Sequence, residues 1–470
     1  MPSMKLSDNK TLRELRGARQ FGYNFGYFGM YLGNMLISVF VFQFYVYTIN
    51  LSSVLVSIGV FLQLFLGALF SIVIGVIIDN KKPNRLGKRR PFLFYGLPIW
   101  AISTVLIFTP PWYCPKNNAF YLPVILFLWI LLIVNAIASG SILVAHASML
   151  PEQSQTLKNR TSVAANGAFL TIIASILVML FPLIIQSVLE DPESVKWWEP
   201  SGKKVILFMP IVALFFAITG VIGIASAFLS VDESFFVSTM SIAVERKSLK
   251  NTFQQMKVPF NDKKYRNFLM VGFNSQFSAK VIGIALMPFL IYVMIFYGNS
   301  FFIYVLVAIV CKFGWFFFWR KYQRKYDLIR SYHLCLVASI IASAFELFLL
   351  IQILSFETRV ALFVMTYGTV LGGIYALGLF NSPLACALVD ESAGRIDQDK
   401  KEMVVSEISG SYFGINGFMQ SFGQAVASIF VGLFLIGANE ENQVVITIVM
   451  ASAGLFYLFA LIYLIKMRGK

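Results

Sequence analysis

The sequence predicts an all-α integral membrane protein whose twelve transmembrane helices form two pseudo-symmetric six-helix bundles. Hydrophobic residues make up 58% of the 470 positions and charged residues only 13%, whereas soluble domains carry about 25% charged residues. Apolar runs long enough to cross a bilayer recur along the whole chain. A long polar segment after the sixth run divides the helices into two sets of six.

Each apolar run defines one helix, and the short polar stretches between runs make consecutive helices antiparallel neighbours. The polar segment that follows the sixth run predicts a first bundle over residues 1–231, a cytoplasmic linker over 232–266 and a second bundle over 267–470. The predicted helices span residues 24–48, 52–78, 92–110, 120–146, 164–189, 205–230, 267–297, 300–319, 331–354, 359–387, 408–437 and 444–465.

The distribution of positive charge predicts which side of the membrane each loop faces. With the N-terminus placed inside, the inner segments hold 31 of the 38 Lys and Arg residues. Cytoplasmic loops retain such residues, so we expect both termini in the cytoplasm and the chain in the cell membrane. The net charge of +15 therefore indicates orientation and contact with membrane lipids, and we expect no nucleic-acid partner.

The first inner loop carries a compact charged motif, "DNKKPNRLGKRRPF", which begins at Asp79. An acid at the end of a helix, a glycine turn and a pair of arginines suit a latch that forms and breaks as two bundles rock. The alternative is that the basic cluster only sets the orientation of the chain. The latch residues are Asp79, Gly87, Lys88, Arg89 and Arg90.

The same loop resembles a motif of the glycoside–pentoside–hexuronide:cation symporters, which include melibiose permease-like proteins, and of the similar sucrose transporters. All belong to the major facilitator superfamily. Two further segments resemble this family in the correct order: "SMLPEQSQTLKNRTSVAANGAF", and the pair "NSPLACALVDESAGRID" and "EISGSYFGINGFMQSFGQAVA". The resemblance implies the major facilitator fold and transport of a sugar or glycoside by alternating access.

This chain departs from the family at the positions that bind sugar and cation. The resemblance implies that the family's functional acidic, aromatic and basic positions fall on uncharged residues here: Tyr31, Gly67, Ser71, Leu143, Ala147, Asn166 or Ala168, and Ser421. A Na⁺ site needs hard oxygen ligands such as carboxylates, and a proton site needs a titratable group. Coupling to H⁺ or Na⁺ through the usual site is therefore doubtful, and a facilitator is a second interpretation.

Neutral polar residues at helical spacing predict a hydrogen-bonding cavity. They recur every three or four positions on the first, second, fourth and eleventh helices and therefore share a face of each. Such groups suit a solute with many hydroxyls, although polar side chains also join helices to one another in membranes. The candidate substrate-binding residues are Tyr27, Tyr31, Asn34, Gln63, Asn135, Ser139, Asn166, Asn274, Lys280, Asn416 and Gln420.

Three ionisable residues, Lys280, Lys312 and Glu346, fall well inside predicted helices. A charge there is costly unless it is paired or faces a cavity. One interpretation is a structural salt bridge within the second bundle. The others are a displaced coupling site, in which a lysine tunes Glu346 as a proton acceptor, and direct binding of an anionic substrate by Lys280.

These observations predict a secondary transporter, acting as a monomer, whose solute is a sugar, a glycoside or a similar polyhydroxylated compound. Two alternatives stay open: a transporter of a lysolipid-like amphipathic substrate, and a polytopic receptor or sensor that does not transport. We expect no enzyme, because the sequence has no nucleophile elbow and no cluster of metal ligands. We likewise expect no metal and no cofactor beyond an optional coupling H⁺ or Na⁺.

Overall fold

A computed structural model describes residues 13–80, 86–87, 89–154, 157–186, 189, 191, 194–233, 258–296, 300–351, 354–396 and 401–468. These residues include twelve long helices and one short turn of helix, Val258–Asn261. The long helices are α1 (Gly17–Gln43), α2 (Ser53–Asn80), α3 (Arg90–Ile107), α4 (Leu122–Gln153), α5 (Leu157–Gln186), α6 (Pro200–Ser230), α7 (Lys263–Pro288), α8 (Phe301–Lys325), α9 (Leu328–Phe345), α10 (Phe356–Ile396), α11 (Lys401–Phe434) and α12 (Gln443–Arg468).

The helices confirm the predicted class. Within the described residues, eleven helical segments are long and apolar enough to cross a membrane, and α5 contributes a shorter apolar segment, Phe169–Val178. Large apolar side chains lie exposed along the outer surface, for example Leu207, Ile211 and Phe215 on α6. An exposed apolar surface of this extent is one that lipid covers.

Several helices are longer than their apolar runs. Helix α1 begins at Gly17, α4 continues to Gln153 and α10 continues to Ile396, each several residues beyond the predicted ends. A hydropathy pattern reports only the part of a helix inside the hydrocarbon layer, because polar residues continue the same helix outside it. Helix α7 likewise begins at Lys263, within the predicted linker, and residues 234–257 of that linker lie outside the described part.

Close helix packing holds each bundle together. Helix α1 packs on α6, and α2 on α4, in the first bundle, while α7 packs on α11 and α12 in the second. A Cβ atom at Gly29 would lie 2.8 Å from the Cα atom of Gly220, and one at Gly26 would lie 2.6 Å from the Cβ of Ala227. Small residues therefore let the α1 and α6 backbones touch, as in other membrane helix pairs.

The two bundles contain the same local break at the same place. Helix α1 continues into a π-helical turn, Phe44–Thr48, and α7 continues into another, Phe289–Val293. Each turn is followed, two residues later, by a residue with a left-handed backbone: Asn50 has φ 68° and Ile295 has φ 56°. Because these are the first helices of their bundles, the repeated break indicates an internal repeat of the six-helix unit.

The bundles meet mainly through α2 with α11, α5 with α8 and α1 with α7. Near the start of α2 and the end of α11, the Ser53 hydroxyl donates to the Gly432 carbonyl at 3.1 Å, and Ser428 donates to the Ser57 carbonyl at 3.3 Å. We call this end of the molecule, where α1 and α7 finish, the closed face. The described ends of the chain, at the start of α1 and the end of α12, lie at the opposite face.

Candidate functional site

A cavity of about 320 Å³ lies between the two bundles, on the chain-end side of the contacts at the closed face. Helices α1, α2 and α4 form one wall, and α7 and α11 form the other. No described residue of its wall is an Asp or Glu. The polar residues that line it are Tyr31, Asn34, Ser38, Gln63, Ser71, Asn135, Ser139, Lys280, Ser421 and Gln424.

Asn34 is held in the cavity wall by three hydrogen bonds to two neighbours, Ser139 and Trp100. Its Nδ2 donates to Ser139 Oγ at 3.0 Å, and its Oδ1 accepts from Ser139 Oγ at 3.2 Å and from Trp100 Nε1 at 3.3 Å. The Trp100 ring fills the space over Gly33, where a Cβ atom would lie 2.5 Å from it. The wall is therefore built on rigid contacts between α1, α3 and α4, which positions its polar groups before a solute binds.

Asn135 also borders the cavity, but its amide serves the helix packing. The Nδ2 donates to Ser103 Oγ and Thr104 Oγ1, both at 3.0 Å, on α3. Its Oδ1 is buried and accepts no hydrogen bond from the described residues. A buried carbonyl oxygen in this state favours any donor that reaches it, since leaving it unpaired costs about 1–3 kcal/mol.

Two predicted residues of the first bundle lie away from the cavity. Tyr27 is 39% exposed, and its ring lies 6.3 Å from the ring of His146 and 6.2 Å from that of Tyr31. Asn166, on α5, is exposed and does not line the cavity. The helical stripe that begins at Tyr27 thus enters the cavity one turn later, at Tyr31.

Three predicted residues of the second bundle form hydrogen bonds within their own helices instead of lining the cavity. Asn274 Nδ2 donates to the Met270 carbonyl of its own helix at 2.7 Å. Gln420 Nε2 donates to Asn416 Oδ1 at 3.0 Å, and both side chains lie against Gly272 of α7. On α11 the cavity is instead lined by Ser421 and Gln424, because a step of one residue rotates the side chain by about 100° around a helix.

Lys280, near the middle of the apolar helical span Lys263–Val293, reaches from the second bundle to the first. The residue is 6% exposed, and its ammonium donates to Ser38 Oγ at 2.8 Å and to the Ser38 carbonyl at 3.3 Å. It also forms part of the cavity wall. The lysine thus presents a positive charge to the cavity and links α7 to α1.

Lys312 makes a second crossing of the same kind. Its ammonium donates to Ser175 Oγ of α5 at 3.1 Å and lies 4.6 Å from the centre of the Tyr375 ring. A cation over an aromatic face is stabilised by the ring quadrupole. Two lysines of the second bundle therefore hold two serines of the first.

The predicted salt bridge between Glu346 and a lysine of the second bundle is wrong for the described residues. Glu346 is 1% exposed, and neither carboxylate oxygen accepts a hydrogen bond within the described structure. Both lysines turn instead toward the first bundle. The sequence shows that these residues lie well inside predicted helices, but a position along a helix does not reveal which way around the helix a side chain points.

The inner loop that suggested a latch is fastened inside the first bundle. The backbone N–H groups of Arg89 and Arg90 donate to the Glu233 carboxylate at 3.1–3.4 Å. The Arg90 guanidinium donates to the Phe228 carbonyl at 2.5–3.1 Å. Gly87 has φ +99°, and a Cβ atom there would overlap Glu233. The side chains of Asp79 and Lys88 lie outside the described residues.

Glu233 was missed by the sequence analysis, although its position offers a signal. It follows the end of α6 by three residues and is buried. An acid at the N-terminus of α3 satisfies backbone donors that the helix leaves unpaired and interacts favourably with the helix dipole. An acid placed just after one apolar run, near a basic helix start, is therefore a candidate cap.

The closed face is held by contacts between the bundles and the loops. The Tyr47 hydroxyl donates to the Glu440 carbonyl at 2.8 Å, and its ring lies 5.9 Å from the ring of Tyr292. Lys196 Nζ donates to the Val46 carbonyl at 3.2 Å. Near the chain ends, by contrast, the described bonds join helices of one bundle, as between Lys264 and Glu391 (2.6 Å) of the second.

The described residues bring no three His, Cys, Asp or Glu side chains together as a group that could hold a metal ion. The chemical resources of the site are therefore hydrogen bonds, aromatic faces and the Lys280 charge. Such a set can bind and orient a solute.

Solved structures show the same fold at low sequence identity. The nucleoside transporter NupG matches with a TM-score of 0.61 and 12% identity, over 95% of this chain and 99% of that chain. A D-xylose–proton symporter matches with a TM-score of 0.56 and 15% identity, over 94% and 96%. The xylose transporter XylE from E. coli, in a partially occluded inward open conformation, matches with a TM-score of 0.56 and 16% identity, over 96% of this chain and 98% of that chain.

Comparison of sequences identifies the family. No curated protein matches the chain. The sequence model of the family described as "MFS/sugar transport protein" matches residues 22–468, nearly the whole chain. The membership inferred from the loop motifs is thus confirmed, and so is the expectation of a transporter rather than an enzyme. The chain belongs to the MFS/sugar transport protein family of the major facilitator superfamily.

Proposed function

We propose that this protein moves a sugar or similar polyhydroxylated solute across the cell membrane by alternating access, as a facilitator, with both termini in the cytoplasm. The observation that supports this most directly is the cavity between the bundles, lined by amides, hydroxyls and one lysine. Its volume of about 320 Å³ falls in the range of small-molecule sites, about 300–1,000 Å³.

The polar groups in the wall match the chemistry of a solute rich in hydroxyls. An amide such as that of Gln63 or Gln424 donates through nitrogen and accepts through oxygen, and serine hydroxyls do both. A sugar hydroxyl also donates and accepts, so each wall group has a complementary partner. The ring of Tyr31 adds an aromatic face on which the apolar side of a sugar ring can lie.

The arrangement of contacts suits a mechanism in which access alternates. The cavity is separated from one side of the membrane by the contacts of Tyr47, Lys196 and Ser53 at the closed face. The excess of Lys and Arg at the opposite face supports placing that face in the cytoplasm. We therefore assign this conformation as inward-facing, with the closed face outside.

Facilitation without ion coupling is supported by the composition of the wall. Among its described residues the only ionisable groups are Tyr31 and Lys280. A Na⁺ ion next to the Lys280 ammonium would be repelled, and no carboxylate of the described wall offsets that repulsion. A neutral solute would then cross by its own gradient alone.

Uptake by the full chain in proteoliposomes tests the proposal. Labelled sugars are presented with and without imposed Na⁺ and pH gradients, and we expect uptake that neither gradient drives. Gln63→Leu should raise the KM about three- to tenfold through loss of one hydrogen bond, whereas Asn117→Leu, in an exposed loop, should not. No uptake of any sugar, or concentrative uptake driven by either gradient, would contradict the proposal.

A further inference from the structure

A second, smaller cavity lies beside the candidate solute site. Its volume is about 130 Å³, it lies between α1, α5, α7, α8 and α10, and it shares Met35 with the larger cavity. We propose that it is a subsite for a ring-sized apolar group of the solute, so that the preferred substrates are glycosides with a small aryl group rather than free sugars. This inference rests on the proposed function and names its substrate class.

The wall of this subsite is mostly apolar. Aliphatic side chains such as Val178, Ile282 and Leu371 form most of it, and three tyrosines, Tyr304, Tyr367 and Tyr375, contribute to the rest. The rings of Tyr304 and Tyr367 lie 6.3 Å apart. Aromatic rings favour offset or edge contacts at such distances, and an aryl group between aliphatic and aromatic walls would make them.

The volume indicates the size of the group. Apolar cavities of about 150 Å³ in proteins stay dry and bind benzene, and 130 Å³ is close to that. A phenyl ring therefore fits, whereas a long acyl chain does not. This cavity is therefore too small for the acyl chain of a lysolipid-like substrate.

The polar side chains of the subsite already have protein partners, since the Tyr304 and Tyr367 hydroxyls bond to each other and the Tyr375 hydroxyl bonds to Ser175. The Ser175 hydroxyl lines the cavity and accepts the bond from Lys312, whose ammonium also lies over the Tyr375 ring. A second sugar placed here would lose its hydration and find few replacement partners, which is costly. An apolar group has no hydrogen bonds to water to lose, and its transfer out of water is favourable.

Substitution of one glycine in the wall can test the subsite. Gly283 of α7 lines it, and a Cβ atom at this position would meet nothing within 4 Å. The Cβ atom that Gly283→Val introduces therefore has room, and the added side chain takes up space at the wall of the subsite. Gly314 of α8 is also unobstructed but does not line it, so Gly314→Val is the matched control.

The experiment compares methyl and phenyl glucosides and galactosides as inhibitors of labelled sugar uptake into proteoliposomes of the full chain. In the wild type we expect the half-inhibitory concentration of each phenyl glycoside to be at least about tenfold lower than that of the matching methyl glycoside, which is the effect of one well-filled apolar pocket. Gly283→Val should remove this difference while leaving the KM of the free sugar within about twofold. Gly314→Val should retain it.

Equal potency of the methyl and phenyl glycosides in the wild type would overturn the subsite. A phenyl preference that survives Gly283→Val would overturn it as well. In both cases the uptake of free sugar persists, so the proposed function stands. Absence of uptake for every sugar would instead overturn the proposed function and the subsite together.

Discussion

Glu440 lies where three segments of the closed face meet, and its ionisation is expected to weaken that face. Its backbone carbonyl accepts the Tyr47 hydroxyl of the first bundle at 2.8 Å. Burial raises the pKa of its carboxyl to about 7, although the nearby positive charge of Lys196 lowers it; the charge of Glu441 adds to the rise. Glu440 therefore changes charge within the physiological range of pH.

The direction of this pKa shift determines how the stability of the closed conformation depends on pH. A raised carboxyl pKa means that the ionised form is less stable here than in water, so this conformation is favoured at low pH. If opening of the closed face returns Glu440 to water, its pKa returns to the ordinary value of about 4.3. Between pH 6 and pH 8 the ratio of open to closed molecules then rises, by linkage, at most about tenfold.

Pulsed electron paramagnetic resonance measures this ratio directly. Nitroxide labels at Asn117 and Gln443, exposed positions in the first and second bundles, report the separation of the bundles across the closed face. We expect a longer distance to gain population as the pH rises from 6 to 8. Glu440→Gln should abolish the change and keep the short distance at both pH values.

Two neighbours supply controls. Lys196→Gln removes a positive charge that lowers the Glu440 pKa, so the midpoint of the transition should move to higher pH. Glu441→Gln removes a negative charge that raises it, so the midpoint should move to lower pH. Identical distance distributions at pH 6 and 8, or a pH response that persists in Glu440→Gln, would refute the reasoning.

Three further changes test separate parts of the structure. Lys280→Met should lower sugar uptake at least about tenfold at equal protein level, since hydrogen bonds of a charged group contribute about 1.5–3 kcal/mol each. Ser38→Ala keeps the Ser38 carbonyl as an acceptor and should lower uptake less. Equal effects of the two substitutions would argue against the Lys280–Ser38 bond. Glu233→Gln should lower the free energy of unfolding by about 1 kcal/mol through weaker capping of α3. Thermal unfolding in detergent measures the change, and Asn117→Ala, in an exposed loop, should leave it unaltered. Ile295→Gly should raise the free energy of unfolding by about 1 kcal/mol, because a β-branched residue is strained at φ 56°. A lower melting temperature of this variant would contradict that view.

The fold could be predicted because its main signal is local. Apolar length fixes each helix, and the charge of the loops predicts which face each loop occupies, without knowledge of the packing. The polar stripes on α1, α2 and α4 were also readable, since Asn34, Gln63 and Ser139 recur at helical spacing and do line the cavity. Each of these inferences uses residues within one turn or one helix of each other.

The rest of the site depends on neighbours that are distant in sequence. Asn274 and Asn416 carry the same amide as Asn34, but they bond within the second bundle, and periodicity alone does not separate a cavity face from an interface between helices. The acid that caps α3 is Glu233, 143 residues beyond Arg90. Only the packing of α6 beside α3 brings the two together.

The two lysine crossings place the charged contacts between the bundles at the centre of the molecule. Lys280 binds Ser38 and Lys312 binds Ser175, and in each pair the donor and acceptor belong to different bundles. Rocking of the bundles must lengthen these bonds, and a buried ammonium that loses its acceptor is costly. A solute hydroxyl in the cavity beside Lys280 can replace Ser38 as the acceptor at little net cost, because one neutral oxygen exchanges for another. Solute binding would thereby lower the barrier to rocking.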